Sequence, residues 1–178
     1  MSKLTRAFAG DLEVRSDGRT VVGIAVPWDQ PTRVSDGGRP YTEAFARGAF
    51  ARTIAERGSK VKFLAQHNRQ ALPIGRATLL REDAAGLYGE FRVSATTAGD
   101  EVLELVRDGA LDGLSVGFAP VKQHQQRDVT VRTEVRLDEV SAVSSPAYEG
   151  ARIAAVREAA PETILIARRR LEIARARY

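Results

Sequence analysis

Val129-Thr130-Val131-Arg132-Thr133-Glu134-Val135-Arg136-Leu137-Asp138-Glu139-Val140-Ser141-Ala142-Val143 is the stretch from which the fold can be read. Val129, Val131, Thr133, Val135 and Leu137 alternate with polar neighbours, the period of a strand with one buried face. Working back towards the N-terminus, Leu114 to Phe118 has strand character, and a helix precedes it. Thr97 is the expected cap of that helix, Asp100 completes a capping box, Val102, Leu103, Leu105 and Val106 form its apolar side, and Gly109 ends it. Further strands are expected at 19–26, stopped by Pro27, at 60–65, at 74–80 and at 87–93, the last two joined through Asp83-Ala84-Ala85-Gly86. Residues 29–40 read as loop. Residues 44–57 read as partly helical, with Phe45, Phe50 and Ile54 on one face and Gly58 as the stop. Many strands with few helices predict a mainly β or α+β domain, with a small closed antiparallel barrel as its expected form.

Composition narrows the chemistry. A chain of 178 residues fits one domain with a short appendage. It has no cysteine, which removes disulfides, thiolate catalysis and cysteine-based zinc sites, and only two histidines, His67 and His124, so no metal site is expected. No apolar run reaches the roughly 18 residues of a spanning helix, and the first residues lack an apolar signal core. A protein neither membrane-spanning nor secreted by the usual route is therefore expected. Residues 151–178 carry seven Arg against three Glu, which accounts for the whole net charge of +4. A nucleic-acid-binding domain would carry that excess on its body, so no nucleic-acid partner is expected. The division expected is a body over 1–155 and a basic helical tail over 156–178, its helix opening at Pro161.

Gly113-Leu114-Ser115-Val116-Gly117 matches the Gly-x-Ser-x-Gly pattern of the α/β-hydrolase elbow. That elbow requires a strand before the serine and a helix after it, with an acid and then a histidine following. Here the order of elements is reversed. The only later histidine is His124, with no acid between, so the elbow is rejected. A serine nucleophile still needs a base. His67, at the end of a strand and among Gln66, Asn68 and Arg69, is the better candidate, although a lone loop histidine says little.

At these residues a family resemblance emerges. Phe63-Leu64-Ala65-Gln66-His67-Asn68 with Pro73-Ile74-Gly75-Arg76 resembles the histidine motif of tailed-phage prohead (capsid maturation) proteases. Gly109 to Phe118 is similar to their serine motif, and Leu137 to Val143 with Ser145-Pro146-Ala147 to their third block. Gly23-Ile24-Ala25-Val26-Pro27-Trp28 and Arg47-Gly48-Ala49-Phe50 fit as well, so the likeness runs from about residue 12 to 155. It implies a fold like that of herpesvirus assemblins, a β-barrel surrounded by helices. It implies Ser115 as nucleophile, His67 as base and a carboxylate after the serine as third member, Glu139 in preference to Asp138. The backbone N–H groups around Ser115, Val116 and Gly117 are candidate oxyanion donors, since glycine lets a backbone approach a substrate closely, and Arg152 occupies a place comparable to that of an assisting arginine in assemblins. His124 is left as structural or exposed. The implied activity is a cofactor-free endopeptidase inside the assembling procapsid in the bacterial cytoplasm. Its implied substrates are the major capsid protein, the scaffold protein and finally itself, and association into a homo-oligomer is compatible with it. The basic tail would be a packaged or self-cleaved segment, or a helix packed on the body.

Overall fold

A computed structural model describes residues 4–9, 13–14, 18–35 and 38–144. The strands are β1 (Leu4–Ala9), β2 (Glu13–Val14), β3 (Thr20–Pro27), β4 (Thr32–Val34), β5 (Tyr41–Phe45), β6 (Lys62–Ala65), β7 (Gly75–Glu82), β8 (Gly86–Val93), β9 (Gly113–Gln126) and β10 (Val129–Val143). Two α-helices accompany them, α1 (Ala51–Arg57) and α2 (Thr97–Arg107). The expected mainly β, α+β class is what forms. The expected tail helix, the 155/156 division and Arg152 lie outside the described residues.

β10 organises the molecule. Along one edge it pairs antiparallel with β9 over almost its whole length. Its other edge is shared: β5 pairs parallel with residues 129–132, and β6 pairs parallel with residues 139–142. The gap between these partners, where β10 is irregular, is filled by the segment running into α1. There Val135 N–H donates to Ala49 O (2.9 Å) and Ala46 N–H donates to Arg132 O (3.0 Å). The buried Thr53 hydroxyl donates to Val135 O (3.0 Å) and accepts from Leu137 N–H (3.1 Å). Backbone groups of Arg132, Val135 and Leu137 beside the bulges thus have partners, as burial demands.

The sheet path runs β1-β9-β10-β6-β7-β8-β3-β2, with β4 and β5 attached through β10. This corrects the closed barrel: the path has two ends, β1 and β2, and among the described residues no ladder joins them. β2 offers only two paired residues to β3, Glu13 and Val14, and β1 passes beside β3 without pairing to it. The core lies within this curved sheet. Phe63 stacks on Phe91 with centroids 4.7 Å apart, and Phe45 meets Phe118 edge-on at 5.2 Å. α2 buries Val102, Leu103 and Val106, but Leu105, expected on the same side, is 41% exposed. Its cap is Thr96 rather than Thr97, the Thr96 hydroxyl accepting from Gly99 N–H at 3.2 Å. Phe45, expected on a helix, closes strand β5 instead.

Two arginines are buried on a single carboxylate beneath the sheet. Arg6 of β1 pairs with Glu43 of β5, and Arg132 of β10 donates to the same group through Nε (3.0 Å) and Nη2 (2.9 Å). The Tyr41 hydroxyl accepts from Arg6 (2.7 Å) and Arg132 (2.8 Å). All three charged side chains are at most 4% exposed. Glu43→Ala leaves two buried guanidiniums without their counter-charge. It is expected to destabilise the protein by about 3–5 kcal/mol, read as a lowered urea midpoint at unchanged slope.

Candidate active site

The site face of the sheet is set by register. Ser115 of β9 lies between Ala7 of β1 and Ser141 of β10, and Gly117 lies opposite Glu139. A bulge decides which acid reaches this face. Leu137 pairs with Phe118, yet Glu139 pairs with Gly117, so Asp138 is the extra residue of β10. On a regular ladder Asp138 would stand opposite Gly117 and Glu139 would turn to the core. The bulge reverses this: Glu139 joins Ser115, whereas Asp138 points towards Arg136 (3.4 Å) and Arg57 (3.9 Å).

His67 arrives from β6 through a tight reversal in which Gln66 and His67 have φ of 51° and 55°. Left-handed backbone costs such residues on the order of 1–2 kcal/mol each, so the turn must be held. Gln66 N–H donates to Ala142 O (2.9 Å), Asn68 N–H to Ala65 O (2.9 Å), and His67 N–H to the Ser141 hydroxyl (3.3 Å). The Asn68 carboxamide oxygen then accepts from Gln70 and Ala71 N–H, at 3.1 and 3.2 Å.

The imidazole so placed bridges the other two groups. His67 Nε2 is in hydrogen-bond contact with Ser115 Oγ, and Nδ1 lies 2.8 Å from Glu139 Oε1. An ionised carboxylate only accepts, so Nδ1 carries the proton and Nε2 presents a lone pair to the serine hydroxyl. Arg69 Nη2 stands 3.6 Å from the same Oε1, while Oε2 accepts from Ser141 Oγ at 2.7 Å. Ser115 has no exposed surface and Glu139 is 4% exposed; the imidazole side chain is 25% exposed and forms the open side of the group. A cleft of about 240 Å³ adjoins it between Lys62, Leu64, Arg69, Pro73 and Glu139.

Of the residues singled out in the sequence, Ser115, His67 and Glu139 are brought together. Val116 and Gly117 have a different place from the one expected. β9 is paired on both edges here, so their N–H groups lie in the sheet plane towards β1 or β10, and the Val116 side chain is in the core. Gly117 instead supplies space. A Cβ there would sit 2.1 Å from Glu139 Oε1 and 2.6 Å from Arg69 Nη2. His124 is exposed on the far part of β9, about 30 Å along the strand from Ser115 at the usual rise. Ser141 and Arg69 were missed, because a serine within an apolar strand and an arginine in a polar turn carry no local signal.

A hydroxyl, an imidazole and a carboxylate in hydrogen-bonded series form the constellation that serine hydrolases use, here with the histidine preceding the serine in the chain. Residues 10–164 match the caudovirus prohead serine protease family, and the chain belongs to it. The prohead protease of Enterobacteria phage HK97 is 32% identical over an alignment of 118 residues that covers 62% of this chain and 51% of that protein. The chain thus spans about half the length of this curated relative. The solved structure of the bacteriophage T4 capsid assembly protease is similar in fold, with a TM-score of 0.57 at 13% identity. That likeness covers 82% of this chain and 98% of the T4 chain.

Proposed function

We propose that this chain is a serine endopeptidase of capsid maturation, with Ser115 as nucleophile, His67 as general base and acid, and Glu139 as the group that orients the imidazole. The observation that carries the reading is the unbroken series Ser115–His67–Glu139, borne by β9, by the turn that follows β6 and by β10, in a member of this family. Ser115 Oγ adds to the scissile carbonyl as its proton passes to Nε2. The same proton goes to the leaving amine when the tetrahedral intermediate collapses. Water repeats both steps on the acyl-enzyme. Glu139 keeps the proton on Nδ1 and stabilises the imidazolium formed at each transfer.

The substrates under this reading are the scaffold protein, or a scaffolding segment of the major capsid protein, and the protease itself. It works without a cofactor, inside the assembling procapsid in the bacterial cytoplasm. The order of histidine, serine and third residue along the chain supports extending the likeness to herpesvirus assemblins. The test is co-expression with the capsid protein of the same phage, with and without Ser115→Ala. Shortening of the capsid protein that depends on Ser115 is the expected result. Assembly promoted without any shortening would turn the chain into a scaffold module and overturn the reading.

A further inference from the structure

Ser141 is fully buried on β10, two residues after Glu139 and directly across from Ser115. Its hydroxyl has one proton and two lone pairs, and both partners dictate how they are used. The Glu139 carboxylate can only accept, so the Ser141 proton goes to Oε2 (2.7 Å). The His67 main-chain N–H can only donate, so it takes a lone pair of Oγ (3.3 Å). One hydroxyl therefore ties the carboxylate to the backbone of the residue whose ring that carboxylate orients.

The two bonds act on different freedoms. With Oε1 facing His67 Nδ1 and Oε2 held by Ser141, rotation of the carboxylate about its last bond breaks a hydrogen bond at each oxygen. The His67 N–H bond restrains a residue at φ 55°, a conformation that relaxes unless its surroundings hold it. Releasing either allows the imidazole to drift from Ser115 Oγ. Small losses of alignment at a reacting pair are costly in rate.

We propose that Ser141 is a positioning residue for the Ser115–His67–Glu139 group, coupling the Glu139 carboxylate to the His67 turn; this rests on the catalytic reading of those three residues. Ser141 touches no reacting atom, and its contribution is the fixed geometry of the imidazole.

A fluorophosphonate reads this without a known peptide substrate. Ser115 Oγ attacks phosphorus, fluoride leaves as the P–O bond forms, and the serine proton passes to His67. Ser141→Ala is expected to lower the limiting inactivation rate by about 10- to 100-fold, the loss of one hydrogen bond to a charged group, with the half-saturating probe concentration unchanged. Ser141→Thr, which keeps the hydroxyl, is expected to recover most of that rate. The low-field proton resonance of His67 Nδ1–H should be present in the parent and in Ser115→Ala, and lost or broadened in Ser141→Ala. Melting curves identify a variant that has not folded; if Ser141→Ala is one, the Thr variant and its Nδ1 resonance decide, full rate with an unshifted signal supporting the role. A folded Ser141→Ala protein with unchanged labelling rate and unchanged resonance would overturn the proposal. Labelling that survives Ser115→Ala would instead overturn the catalytic reading beneath it.

Discussion

Ser115→Ala is expected to lower peptide cleavage by roughly 10⁴- to 10⁶-fold, His67→Ala by a comparable factor, and the double variant no further than either alone. The two groups share one bond and one event. Without the imidazole, the Ser115 hydroxyl keeps its proton and is a poor nucleophile at neutral pH. Without the hydroxyl, His67 has no proton to accept. Removing the second partner therefore takes away nothing that still functions, and the losses do not add. Initial rates of capsid-protein shortening with purified variants measure this. Losses that multiply in the double variant would mean that His67 and Ser115 contribute through separate routes, contrary to their direct contact in the site. Ser115→Ala removes a single oxygen and leaves the β9 ladder intact, so its melting temperature should stay close to that of the parent.

The second large effect is steric and comes from a residue with no chemistry of its own. Gly117→Ala puts a methyl group 2.1 Å from Glu139 Oε1 and 2.8 Å from Glu139 Cδ, and neither position can be shared. The carboxylate must leave Nδ1, and Arg69, 2.6 Å from the same methyl, is displaced with it. The expected loss is about 10³- to 10⁴-fold, close to that of Glu139→Gln, which keeps the shape but leaves the imidazole in the wrong tautomer. The carboxylate-to-amide change at the equivalent position of the serine-protease triad has an effect of that size. Glycine within a strand normally weakens it, so an alanine here would be neutral or favourable were space available. Cleavage at the parental rate by a folded Gly117→Ala protein would show that Glu139 is dispensable. Combining the two substitutions should add little to either.

The parts of the fold carried by local patterns were legible. The alternation of β10, the β7–β8 hairpin and the position of α2 follow from period, turn residues and caps, and the structure has them. Elements sustained by distant partners were not. β1 contains Arg6, which reads as a surface residue until Glu43, 37 positions away, is seen to neutralise it. Tyr41–Phe45 pairs parallel with β10, and nothing near it in sequence announces that ladder. The spacing of Phe45, Phe50 and Ile54 instead suggested a helix, because a strand ending just before a helix can mimic a single helical face. The site shows the same divide. Ser115 and His67 stood out through their motifs, but regular alternation continued from Leu137 would have turned Asp138, not Glu139, towards Ser115. The choice between the two acids is made by a bulge at Asp138 in the β9–β10 ladder, which local alternation does not announce.

β10 has a consequence for how the molecule comes apart. It carries Glu139 and Ser141, ladders to the strand bearing Ser115, and ladders to the strand whose end presents His67. No reacting group rides on a peripheral piece that frays by itself, so subglobal openings confined to α2 or the distal β9–β10 ribbon leave the group whole. Loss of the ladders around β10 removes structure and chemistry in one cooperative step. Activity in a partly denatured population then counts the molecules in which the ladders around β10 persist, because a chain that has lost them retains no assembled site with which to cut its neighbours.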